Sequence, residues 1–168
     1  ISTSGTSTEG TDYSTISDIT ISEGDTTGTV SFTPSDDSVY EGNEIAVVSI
    51  SAVSGLATEE GTQAVTLTIT ENESAPTVTL TASASSIAEN AGSSLTLTAT
   101  LSGVVDENVT VSISTLGTGT EGTDYSTISD ITISAGNTTG TASFTPTDDS
   151  IYEGNETGIV AISGVSGG

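Results

Sequence analysis

Apolar and hydroxyl side chains alternate along much of this chain. Val65-Thr-Leu-Thr-Ile69, Val78-Thr-Leu-Thr-Ala82, Leu95-Thr-Leu-Thr-Ala-Thr-Leu101 and Val109-Thr-Val-Ser-Ile113 all follow a period of two. Successive side chains of a strand point to opposite faces, so this period predicts strands with one face buried and one face wet, as in an antiparallel sheet. The pattern predicts strands over residues 77–83, 94–102, 108–115, 128–134, 140–145 and 156–163. Earlier in the chain it predicts strands over 16–22, 28–33, 44–51 and 62–70. Ser134-Ala-Gly-Asn137, Asp148-Asp-Ser150 and the Gly-rich stretch from Ser163 mark turns between them. No helical period is present. Short strands with frequent turns read as an all-β sandwich of the immunoglobulin-like Greek-key kind.

The strand pattern recurs because the sequence recurs. With an offset of 112, residues 1–56 and 113–168 are identical at 43 of 56 positions. A period of that length fits one small domain per repeat and is too long for a solenoid or propeller blade. Ser74-Ala-Pro76 is the predicted boundary, since its proline cannot donate to a ladder and stiffens a joint. The expected organisation is residues 1–73 as the C-terminal part of one repeat, 74–76 as linker, and 77–168 as the next repeat without its last strand. On this reading both copies are incomplete, and the start at Ile1 without a methionine fits an internal piece of a tandem array. The side of residues 156–163 that lacks a partner is expected to be filled by a strand resembling residues 63–70, from adjacent repeats of the same chain or from identical neighbouring chains.

Composition narrows the chemistry. The chain carries 23 Asp and Glu and no Lys, Arg, His, Cys, Met or Trp, for a formal net charge of −23. Alternation argues against an acidic disordered segment. Without His or Cys there is no plausible zinc, copper or haem site and no Ser-His-Asp set, and without Lys there is no Schiff-base chemistry. Paired carboxylates alone could serve a glycosidase, but here they are clustered and no Trp offers a sugar platform. The chain is therefore read as non-enzymatic. The uniform negative charge disfavours nucleic acid and anionic lipid as partners, and no apolar run is long enough to insert in a membrane.

The carboxylates gather in loop motifs. These are Glu9-Gly-Thr-Asp12-Tyr13, Asp36-Asp37-Ser-Val-Tyr-Glu41-Gly-Asn-Glu44, Glu71-Asn-Glu73 and Ala88-Glu89-Asn-Ala-Gly92. The first two recur from Glu121 to Tyr125 and from Asp148-Asp149 to Glu153-Gly-Asn-Glu156. Crowded carboxylates with no cation in the chain to offset them suit a hard divalent ion. Ca2+, with 6–8 oxygen ligands in a flexible geometry, suits such loops better than magnesium. Tyr13 and Tyr125, which follow the aspartates, are expected to be buried corner aromatics, and Phe32 and Phe144 to be core.

Taken together, this order of motifs resembles the Calx-β domain, a seven-stranded immunoglobulin-like sandwich whose calcium ligands come from loops at one end. The resemblance spans essentially the whole chain as parts of two copies. It implies Asp12, Asp36, Asp37, Glu41, Glu44, Glu71 and Glu73 as side-chain ligands of the first copy, with the Val39 carbonyl. In the second copy it implies Glu89, Asp124, Asp148, Asp149, Glu153, Glu156 and the Ile151 carbonyl. The closing Glu71-Asn72-Glu73 departs from the Asp-rich form usual in the family. The resemblance further implies an extracellular or cell-surface structural repeat, stiffened by calcium, in a bacterial adhesin or surface filament serving adhesion, biofilm or matrix. A self-assembling filament subunit and a sugar- or receptor-binding module are the other readings.

Overall fold

The computed structural model describes residues 1–167. Among them all regular structure is β and no helix is long and apolar enough to cross a membrane. The residues group into two compact units, Ile1–Glu73 and Ser74–Gly168.

The first unit contains β1 (Ser2–Gly5), the two-residue β2 (Val39–Tyr40), β3 (Glu44–Ser49) and β4 (Ala64–Ile69). β3 is the central strand of an antiparallel sheet, with β1 on one side and β4 on the other. Its ladders run from Ser2↔Ser49 to Gly5↔Ala46 and from Glu44↔Ile69 to Ser49↔Ala64. Tyr13, Ile16 and Ala46 form the buried centre, and Val30, Phe32, Val48, Leu67 and Ile69 pack around it.

The second unit contains β5 (Val78–Ala82), β6 (Leu95–Leu101), β7 (Val104–Val105), β8 (Val109–Gly117), β9 (Ile131–Ile133), β10 (Thr139–Phe144) and β11 (Gly158–Ser166). All of these but β7 make two antiparallel sheets, in orders β10-β6-β5 and β11-β8-β9. The alternation of the sequence is obeyed. In β6, Leu97, Ala99 and Leu101 are buried, while in the other sheet Val109, Val111, Ile131 and Ile133 are. Two sheets with inward apolar faces are the β-sandwich arrangement.

Equivalent residues adopt equivalent pairings. The β1–β3 register recurs 112 residues on as Ser114↔Ala161 to Gly117↔Gly158. Gly5 and Gly117 end the first strand of each pair with φ of +125° and +130°, and a Cβ there would collide with the carbonyl of Ile45 or Thr157. Each glycine lets the chain fold over that carbonyl, which then accepts two amides, Thr6 and Ser7 in one copy and Thr118 and Gly119 in the other. This kink starts the loop that carries Asp12 or Asp124.

Two expected strands do not form. Residues 16–22 and 28–33 have no ladder, although the near-identical residues of the second unit supply β9 and β10. The reason is the lack of partners. β9 pairs with Val109 to Val111 of β8, and β10 pairs with β6, and the first unit has no counterpart of either. Ile19 and Ile21 are accordingly 45% and 57% exposed, whereas Ile131 and Ile133 are fully buried. Ser2–Gly5, in contrast, is a strand not expected from the first copy alone. It corresponds to the last residues of β8.

Candidate metal centre

Burial of an aromatic ring sets the first acidic residue of each centre. Tyr13 is 1% exposed and Tyr125 3%, stacked on Phe32 and Phe144 with centroids 4.7 Å apart in both pairs. The backbone around each tyrosine is bridged to Pro34 or Pro146. Asp12 therefore precedes a fixed side chain, and its carbonyl accepts the Ser35 amide at 2.9 Å, as Asp124 does for Thr147. One carboxylate oxygen of each aspartate also caps its own loop by accepting from Thr8 or Thr120.

Glu44 opens β3, and Glu41 precedes it across Gly42. Together with Asp12 they place three carboxylates with oxygen atoms within 4.8 Å of one another. The second unit brings together the equivalent three, Asp124, Glu153 and Glu156, and a further overlapping group of Glu89, Asp149 and Glu153. The first cluster is half-buried and borders a small cavity of about 40 Å³, also lined by Asp37, Val39, Glu71 and Glu73. In the second unit only Asp124 is half-buried; Glu89, Asp149, Glu153 and Glu156 are exposed.

The two centres are closed by different segments. In the first, the chain beyond β4 returns to the Glu41 loop. Both Glu71 oxygens accept backbone amides there, Oε2 from Glu41 at 2.6 Å and Gly42 at 2.8 Å, Oε1 from Asn72 at 2.8 Å and Glu73 at 2.9 Å. Asn43 Oδ1 accepts the Glu71 amide in return, and Asn72 donates to Asp36. In the second, Glu89 from the segment before β6 accepts the Asp149 amide at 3.0 Å. Asp37 and Asp149 make the same local turn, accepting the amide two residues ahead. Asp36 and Asp148 are exposed and join none of the three-carboxylate groups, and the Ile151 side chain is 65% exposed.

Electrostatics follow the bonding. The amides of Glu73 and Glu41 pull the Glu71 carboxyl down to about 2. The neighbouring Glu73 is pushed up by its hydrogen bond with Glu71, by desolvation and by the charges of Glu71 and Asp36, so a proton arriving here goes to Glu73. Glu153 and Glu156 are both raised, first by desolvation and then by Asp124 and other carboxylates. Desolvation, the hydrogen bond of Glu73 with Glu71 and neighbouring like charge thus disfavour ionisation of Glu73, Glu153 and Glu156, which a bound cation would favour.

Glu9 and Glu121, from the same motif as Asp12 and Asp124, have a different task. Glu9 accepts the Ile16 amide at 2.7 Å and the Thr3 hydroxyl at 2.8 Å. Glu121 does the same with Ile128 and Thr115. They brace the loop that presents the aspartate, a role that the Glu-Gly-Thr-Asp-Tyr spacing did not disclose. Asn43 and Asn72 were equally silent in the sequence. Only the recurrence of Gly-Asn-Glu hinted at the first.

Comparison with known families matches the Calx-beta domain model to residues 1–73 and again to 71–168. No curated protein and no solved structure matches the chain.

Proposed function

The chain belongs to the Calx-β family, a family of calcium-binding β-sandwich domains and not of enzymes, and from that premise we propose that it is a calcium-stiffened structural repeat of an extracellular adhesin or surface fibre. The observation that carries this reading is the recurrence of one carboxylate set, Asp12, Glu41 and Glu44 in one unit and Asp124, Glu153 and Glu156 in the other. The donors are all hard oxygens, as Ca2+ prefers. Asp12, Glu41, Glu44, Asp37 and Glu73, with the Val39 carbonyl, would hold an ion in the first unit. Asp124, Glu153, Glu156, Asp149 and Glu89 would do so in the second. The bound ion supplies positive charge that the chain itself lacks.

Glu71 is better placed to hold the loop than to bind an ion, since its four acceptor positions are used by backbone amides. A repeat carrying both closing segments would combine a Glu89-type residue with a Glu71-Asn-Glu73 triplet around the shared three carboxylates. Because the first centre ends at Glu73, directly before Ser74, ordering it leaves less free chain ahead of the next repeat. Extracellular calcium modules have dissociation constants of about 10⁻⁴–10⁻³ M, so such a repeat would be ordered outside the cell and relaxed in calcium-poor cytosol.

Calorimetric titration of the metal-free chain tests the reading. Calcium is expected to bind saturably and magnesium markedly less. Glu44→Gln is expected to weaken binding at the first centre by roughly tenfold, while Glu23→Gln, an exposed carboxylate outside the clusters, leaves calcium affinity unchanged. Equal losses from the two variants, or no saturable calcium binding, would refute it.

A further inference from the structure

We propose that the outer edge of β11 and the cleft beside it form an acceptor groove for an extended, uncharged strand that alternates Val, Leu or Ile with Thr, the strand that another repeat of this type carries at the position of β4. The two units present the same edge in two states. In the first, residues 44–49 pair with β4 on one side and β1 on the other. The equivalent residues, 156–161, lie at the edge of their sheet, because β11 pairs with β8 alone among the described residues. An edge of unpaired amides and carbonyls is a template for a further strand.

The space for its side chains is also present. In the first unit Leu67 and Ile69 of β4 pack against Tyr13, Ile16 and Ala46. In the second unit no strand among the described residues covers the corresponding place, and a cleft of about 910 Å³ opens there, lined among others by Leu80, Leu97, Tyr125, Phe144, Val160 and Ile162. Apolar side chains on one face of an incoming strand would fill it, and its threonines would face water. Charge selects the same occupant. In a chain of net charge −23, residues 61–70 contain no Asp or Glu, so they can approach without repulsion from Glu153 and Glu156 at the cleft. The β4 of a second copy is a poor donor, since β3 already holds it over the ladder from Glu44↔Ile69 to Ser49↔Ala64. The register of that ladder transfers directly and sets Val65 of the incoming strand opposite Val160, as Val65 stands opposite Val48.

A synthetic peptide of residues 62–70 added to the intact chain tests the proposal, in chelator and in calcium alike. Because the peptide carries no carboxylate side chain, the result does not depend on the calcium reading. Hydrogen exchange of residues 156–162 is expected to slow by about tenfold or more at saturating peptide. A peptide of the same composition with the alternation scrambled should leave it unchanged. With cysteines at Val65→Cys in the peptide and Val160→Cys in this cysteine-free chain, oxidation should join the two, while a cysteine one residue away in the peptide should react poorly. No protection at millimolar peptide, equal protection by the scrambled peptide, or cross-linking without register preference would overturn it. So would concentration-dependent dimerisation of the chain alone with residues 156–162 protected, which would assign the edge to a second copy.

Discussion

Glu71 and Glu73 stand two residues apart and respond to protons in opposite senses. Glu71 is held ionised by the backbone amides it accepts, so the stability it confers is complete above the ordinary glutamate value of 4.5 and is lost as pH falls from there through about 2. Glu73, Glu153 and Glu156 have raised values. In the folded state they hold protons that the unfolded chain has released, so metal-free stability falls as pH rises from 4.5 through those raised values. Without calcium, stability should therefore pass through a maximum in the mildly acidic range. All these side chains reach water, so each limb is expected to be shallow. Glu71→Gln should flatten the acid limb, because an amide nitrogen cannot accept the N–H groups that the carboxylate does. Denaturant unfolding at a series of pH values in chelator measures both limbs; stability that climbs steadily from pH 4 to 8 would contradict this account. At this scale the sequence spoke clearly about residue type and poorly about task. Clustered Asp and Glu announced an interest in cations, yet nothing in Glu-Gly-Thr-Asp-Tyr separates the glutamate that braces a loop from the aspartate that faces the cluster, because that distinction depends on which amides the folded backbone aims at each oxygen.

The elements show how far one sequence depends on its neighbours. Residues 17–33 and 129–145 differ at three positions, yet only the second stretch forms ladder strands, because β6 and β8 lie beside it. The local turn survives without those ladders. Gly28 sits against the Thr20 carbonyl as Gly140 sits against that of Thr132, too close for a Cβ in either copy. Backbone amides of Ile19 to Ile21 are consequently expected to exchange with solvent at least about tenfold faster than those of Ile131 to Ile133 in the same molecule, a comparison that peptide-level hydrogen exchange can make directly. Similar rates would mean that residues 16–22 have found partners after all. The strands with strict alternation, β4, β5, β6 and β8, were legible because period two is a local signal. Residues 16–22 and 28–33 were misread because β structure is completed by a partner, and a sequence of 168 residues does not state which strand lies beside which. The pairing of Ser2–Gly5 with β3 was readable only by transferring the end of β8 across the repeat.

For the whole molecule the governing quantity is the charge. A chain of −23 without one basic side chain repels itself, and two kinds of cation effect can relieve this. Sodium chloride shortens the screening length, from about 30 Å at 0.01 M to about 10 Å at 0.1 M, and acts on every carboxylate alike. Millimolar calcium adds an ionic strength of only about 0.003 M per millimolar salt, so its screening is slight, and any large effect must come from ions held at particular places. The two can be separated with Glu44→Gln and Glu156→Gln combined, which removes one carboxylate from each recurring set and lowers the net charge by only two of 23. Sodium chloride should raise the melting temperature of the parent chain and the double variant to similar extents. Millimolar calcium should raise that of the parent chain by several degrees and that of the variant far less. If calcium stabilised both equally, the carboxylates would be acting as a diffuse field rather than as two centres, and the stiffening proposed for the repeat would reduce to ordinary counterion screening.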